Sequence, residues 1–127
     1  MNLFLVMAGG ALGAGARHLA SRAALTLAGP GLPVGTLAIN VTGGLLMGVL
    51  AGLLARTTAG EPWRLFLGVG VLGGFTTFSA FSLDAVLLAE RGQWVAAVGY
   101  VLASVVGSIA ALVAGLALAR TLTGAAA

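Results

Sequence analysis

Four long apolar runs, separated by short polar intervals, account for almost the whole chain. They span about residues 3–27, 34–54, 65–88 and 95–119. A helix that crosses a bilayer needs about 20 mostly apolar residues, and each run is long enough. The first interval, Gly29-Pro30-Gly31-Leu32-Pro33, combines two prolines and two glycines and reads as a turn. The second, Thr57-Thr58-Ala59-Gly60-Glu61-Pro62, is polar, and Trp63 and Arg64 follow it as interface anchors. The third is Glu90-Arg91-Gly92-Gln93, followed by Trp94. The pattern predicts an all-α membrane protein with four transmembrane helices, forming one transmembrane domain over residues 1–127, with a frayed tail from Thr121 to Ala127.

Two of the runs are not uniform. Arg17, His18 and Arg22 interrupt the far half of the first. Long arginines snorkel to the headgroups or line a polar cavity from such positions. The third run carries Gly73-Gly74-Phe75-Thr76-Thr77-Phe78-Ser79 at bilayer depth. Each glycine weakens a helix by about 1 kcal/mol, and neighbouring hydroxyls can satisfy the carbonyls that a break frees. The third helix is therefore expected to break, at its two adjacent glycines.

Composition narrows the function. Sixty per cent of residues are hydrophobic and 7% are charged, too few polar groups to cover a soluble surface. A soluble enzyme, a nucleic-acid-binding domain and a disordered chain are all excluded as defaults. The six cations are all arginine and are dispersed, so no phosphate-binding cluster forms. There is no cysteine, hence no disulfide framework or thiolate metal site. No basic side chain precedes the first run, which reads as a retained helix instead of a signal peptide. With four crossings, Arg56, Arg64 and Arg120 lie on one side and Arg17, Arg22 and Arg91 on the other. An orientation bias needs an asymmetry of Lys and Arg. This even tally predicts insertion both ways up.

Several side chains invite a chemical reading. Gly44, Gly48 and Gly52 recur every fourth residue and offer a flat face for close helix packing. Asn40 lies one turn before them. A lone amide in a crossing lines a polar path or makes a cross-helix hydrogen bond. Asn40-Val41-Thr42 also fits a glycosylation sequon, which membrane depth makes unreachable. Tyr100, Ser104 and Ser108 form a hydroxyl stripe on the fourth helix, either a polar path or serines bonded back to their own helix. Phe75, Phe78 and Phe81 pack a core or turn positive ring edges toward an anion. Asp84 is a vestibule residue or an arginine partner. Gly68-Val69-Gly70-Val71-Leu72-Gly73 matches a dinucleotide-binding spacing, but that pattern has meaning only between a strand and a helix. His18 has no second ligand for a metal site.

These motifs together resemble the Fluc/CrcB family of small bacterial fluoride channels, over almost the whole length. The resemblance rests on Gly9-Gly10 through Gly13-Ala14 to Arg17, on Gly35-Thr36-Leu37 with Asn40 and Gly43-Gly44, and above all on Gly73-Gly74-Phe75-Thr76-Thr77-Phe78-Ser79-Ala80-Phe81-Ser82. It implies a passive fluoride exporter in the inner membrane that lowers cytoplasmic fluoride, built as an antiparallel, dual-topology homodimer with two pathways. It implies a sodium ion on the two-fold axis, held by backbone carbonyls of Gly73 and Thr76. Asn40, Phe78, Phe81, Ser79, Tyr100, Ser104 and Ser108 would line the fluoride pathway, with Arg17 and Asp84 in the vestibule. Its partners would be fluoride, a second copy and lipid, with no nucleic acid and no nucleotide. The chain departs from the family at Ala80, where a threonine is frequent, and Asp84 stands where glutamate is usual.

Two other functions fit four short crossings. A proton-coupled multidrug exporter needs a carboxylate deep in a span, and Asp84 lies near the end of its own. A non-transporting assembly subunit would account for the glycines but not for Asn40 together with the hydroxyl stripe.

Overall fold

The computed structural model describes residues 1–58 and 60–124. Four helical spans are long and apolar enough to cross a membrane: Asn2–Ala28, Val34–Leu54, Glu61–Glu90 and Trp94–Leu122. The first two are α1 and α2. The third span is composite. It starts with one turn, α3 (Glu61–Trp63), continues as a π-helix over Arg64–Leu72, and returns to α in α4 (Gly73–Phe75). Two extended residues follow, and α5 (Phe78–Glu90) completes the crossing. The last span is α6 (Trp94–Leu122). Of the tail expected to fray, Thr121 and Leu122 are helical, and residues 125–127 lie outside those described.

The spans pack in two layers of contact. α2 runs along α6, while α1 runs along the π segment and α4. Both contacts bring backbone close to backbone. A side chain at Gly48 would meet the carbonyl oxygen of Leu112, and one at Gly115 would meet that of Leu45. On the other side, a Cβ at Gly70 would stand 2.9 Å from Cα of Gly9. Lipid tails are as apolar as leucine, so helices in a bilayer associate through such close van der Waals contact and not through hydrophobic burial. The surface agrees: Leu3, Leu19, Val95 and Ile109, among others, face outward. A small apolar cluster of Phe81, Leu88, Ala97 and Tyr100 closes the end where α5 meets α6.

The third crossing does break, but not at its glycines. Gly73 is helical, with φ −62° and ψ −38°. The chain leaves the helix at Thr76 (φ −81°, ψ 158°) and Thr77 (φ −153°, ψ 119°). The glycines serve another need: a Cβ at Gly74 would come within 2.7 Å of the carbonyl oxygen of Gly10 on α1. The two threonine hydroxyls act differently: that of Thr76 doubles the bond its own N–H makes to Leu72 O, and that of Thr77 supplies an acceptor the broken ladder lacks. Thr76 Oγ1 donates to Leu72 O at 2.8 Å, and Thr77 Oγ1 accepts from Ala80 N at 3.1 Å as the N-cap of α5.

Candidate functional site

The break faces α2 and α6, and the three together leave a cavity of about 430 Å³. Asn40, Gly43 and Gly44 from α2 form one wall. Thr76, Thr77, Phe78 and Phe81 form another, and Ser104 and Ser108 of α6 a third. Among the described residues no charged side chain lines it. The sequence places Tyr100, Ser104 and Ser108 at i, i+4 and i+8, so one face of α6 carries all three hydroxyls.

Each polar group here has a distinct situation. Asn40 bonds Thr77 at both backbone atoms, donating from Nδ2 to the carbonyl at 2.9 Å and accepting from the N–H at 2.8 Å. Ser104 is buried, and its hydroxyl has no hydrogen bond of ordinary geometry. It does not bond back to its own helix. A buried donor without a partner is costly, so this oxygen is open to whatever occupies the cavity. Tyr100 lies one turn away and donates from its hydroxyl to Asp84 Oδ2 at 3.1 Å.

The aromatic rings form a chain. The centroids of Phe78 and Phe81 are 5.4 Å apart at 55°, and those of Phe81 and Tyr100 are 5.3 Å apart at 45°. Tilted rings present edges, where the positive part of the ring quadrupole lies. Phe81 is 8% exposed, whereas Phe78 is 77% exposed and has almost no cover within the chain.

Asp84 opens instead onto a second cavity of about 270 Å³, with Ser21, Thr36 and Arg91 among its walls. Tyr100 thus stands between the two spaces, bonded to an acid of one and one helical turn from a serine of the other. Asp84 makes no ion pair with an arginine; among the described residues the one salt bridge is Arg64 to Glu61, at 2.7 Å. Arg17 is half-buried on α1 and lines neither cavity. Ser79 is exposed at the start of α5, 3.2 Å from Thr77 Oγ1, and also stands outside the first cavity. Thr77 itself was not a predicted site residue. Its signal was local: a threonine directly before an apolar helical run is an N-cap.

The expectation of sodium as a cofactor, bound at Gly73 and Thr76, is corrected. Among the described residues no group of three or more His, Cys, Asp or Glu is placed to hold a metal ion. The acids are committed elsewhere or stand apart: Glu61 pairs with Arg64, Asp84 accepts from Tyr100, and Glu90 is exposed at the end of α5. Thr76 turns its hydroxyl to Leu72 and its methyl toward Gly43.

Residues 4–116 match the family described as CrcB-like protein, Camphor Resistance (CrcB). A fluoride-specific ion channel FluC of Sphingopyxis alaskensis is 60% identical over 122 residues, covering 95% of this chain and 97% of its own. A FluC of Phenylobacterium zucineum is 59% identical over 120 residues, covering 93% and 94%. One from Mesorhizobium japonicum is 54% identical over 121 residues, covering 95% and 98%.

Proposed function

The chain belongs to the CrcB-like family, and from that premise we propose that it is a fluoride-specific ion channel, as its relatives are named. It is a multi-pass protein of the inner membrane and not an enzyme; no bond is made or broken in its work. Fluoride that enters a cell as neutral HF dissociates inside. An anion channel then lets it leave down the electrical gradient, which lowers the cytoplasmic load.

The observation that carries this reading is the donor set at the break. An amide, hydroxyls and aromatic rings line the cavity, with no cation among the described residues there. Fluoride is small and strongly hydrated, so it enters only where donors replace water. A full cation would hold it too tightly to release, while graded weak donors let it pass. In this reading Asn40, Phe78, Phe81, Ser104 and Ser108 line the pathway. Tyr100 carries it toward Asp84, Ser79 flanks it at the start of α5, and Arg17 belongs to the vestibule. Gly44, Gly48 and Gly52 act as the packing face that brings α6 against α2.

The working unit is an antiparallel homodimer. Irregular backbone at membrane depth is tolerated only where protein buries it or water fills a cavity beside it. Here the break leaves Phe78 uncovered, and a second copy supplies the cover. The even division of arginines favours neither orientation, which suits two copies inserted in opposite senses.

The test is fluoride efflux from liposomes holding the purified chain, read with a fluoride electrode, beside the same liposomes loaded with chloride. Fluoride release without chloride release is expected. Equal release of both, or of neither, refutes the proposal. Accessibility of a carboxyl-terminal tag from both faces of the membrane tests the antiparallel pair.

A further inference from the structure

The break puts two extended residues in the middle of a membrane crossing, where no bulk water reaches backbone groups. Their N–H and C=O must be satisfied from within the protein. At Thr77 one side chain does both tasks. Asn40 Nδ2 donates to Thr77 O at 2.9 Å, and Thr77 N donates to Asn40 Oδ1 at 2.8 Å. The two residues are 37 positions apart in the chain, so this pair ties α2 to the break.

A primary amide offers one acceptor oxygen and two N–H donors. Here the oxygen and one N–H are engaged by the same residue, in the manner of a neighbouring strand. Aspartate lacks the donor. Serine cannot reach both edges. Glutamine is longer by a methylene. The pairing also needs α2 to lie close, and Gly43 permits this: any side chain there would meet Cγ2 of Thr76. Asn40 and Gly43 are three residues apart and share a helix face.

We propose that Asn40 is a positioning residue that clamps the Thr77 peptide at both edges and so sets where α5 and the Phe78 ring stand. This rests on the channel reading and goes beyond it, since that reading needs Asn40 only as a donor to the ion. The clamp acts through Thr77. Its hydroxyl caps Ala80 N at 3.1 Å and lies 3.2 Å from Ser79 Oγ, so a fixed Thr77 fixes the first turn of α5. Phe78 is the next residue, and its ring leads the aromatic chain to Phe81 and Tyr100. Asn40 keeps its second N–H for the ion, aimed by the two bonds already made.

The deciding variant leaves Asn40 untouched. Replacing Thr77 by its α-hydroxy analogue in the full-length chain exchanges one N–H for an ester oxygen and keeps every side chain. Reconstituted in liposomes, this chain should carry fluoride about tenfold more slowly than the wild type, the scale of one lost hydrogen bond. Wild-type flux overturns the proposal. In parallel, hydrogen exchange at the Thr77 amide should be about tenfold faster in Asn40→Ala than in the wild type. Unchanged exchange with lost flux also overturns it, and leaves Asn40 as a donor to the ion alone. If Asn40→Ala fails to assemble, Asn40→Ser serves for the same readout. A wild-type chain that carries no fluoride sinks the channel reading, and the exchange measurement still decides the clamp.

Discussion

Helix α2 meets its neighbours in two opposite ways within a few turns. At Gly44, Gly48 and Gly52 it lies against α6 with backbone nearly touching backbone, and a Cβ at Gly44 would stand 2.8 Å from the carbonyl oxygen of Ser108. One turn earlier, at Asn40, it borders a largely apolar cavity and bonds across to a broken helix. From Gly48 onward the glycine seam is backbone packed on backbone, and at Gly44 it borders the cavity. The region around Asn40 leaves a buried serine hydroxyl without a hydrogen bond of ordinary geometry and a phenylalanine almost uncovered. The packing face and the proposed pathway thus occupy adjacent stretches of one helix. Close packing on one side lets the other side afford an open, underpacked site.

Breaking the seam should have the largest effect. Gly48→Leu forces a side chain onto the Leu112 carbonyl, which is backbone and cannot turn aside. Overpacking of this kind costs about 3 kcal/mol or more. Loss of the assembled species on size-exclusion chromatography in detergent is expected, with flux lost along with it. A folded, conducting Gly48→Leu would show that the seam is not structural.

Phe81→Ala probes the place where the two regions meet, since Phe81 belongs to both the apolar cluster and the cavity wall. Removing a buried phenylalanine costs about 3–5 kcal/mol in a well-packed interior. A lower thermal midpoint and abolished fluoride flux should appear together. If stability falls and flux survives, the ring is packing only.

Tyr100→Phe keeps the ring and deletes the hydrogen bond to Asp84. Side-chain hydrogen bonds between membrane helices average about 0.6 kcal/mol. Stability should barely move while fluoride flux falls, because the link between the two cavities is cut. Unaltered flux would remove Tyr100 from the path.

Ser104→Ala should have the smallest effect on stability and the sharpest diagnostic value. Its buried hydroxyl makes no hydrogen bond of ordinary geometry, so removing it should leave the thermal midpoint unchanged or raise it slightly. Flux should nevertheless drop. A stability loss of about 1 kcal/mol or more would mean that the hydroxyl has a structural partner after all.

How much of this was legible beforehand varies by element, for physical reasons. The crossings could be read because a span must be long and apolar to be soluble in lipid, and the π geometry of Arg64–Leu72 could not, because both helix types need the same apolar residues. The break was read to within a few residues but assigned to the wrong ones. Glycine weakens a helix, yet Gly73 and Gly74 both remain in it, and at Gly74 the backbone of α1 lies close enough that only glycine fits. The chain can leave it at Thr76 and Thr77 because Asn40 bonds both backbone edges of Thr77 and the Thr77 hydroxyl caps Ala80 N. Asn40, Ser104 and Ser108 were each recognisable as costly polar groups in a crossing. That they share a cavity with Phe78 and Phe81, while Arg17 and Ser79 stand outside it, was not.

The amino-acid sequence by itself determined that this chain lies in lipid as four crossings, that its third crossing is interrupted, and that its polar residues are few. Those properties follow from local composition and period, which transfer free energy reads directly. Only the tertiary structure decided where the interruption falls, that one amide on α2 answers both edges of the Thr77 peptide, and that Tyr100 stands between two cavities. These depend on which backbones approach each other, and residues far apart along a chain carry no local signal of the distance between them in space.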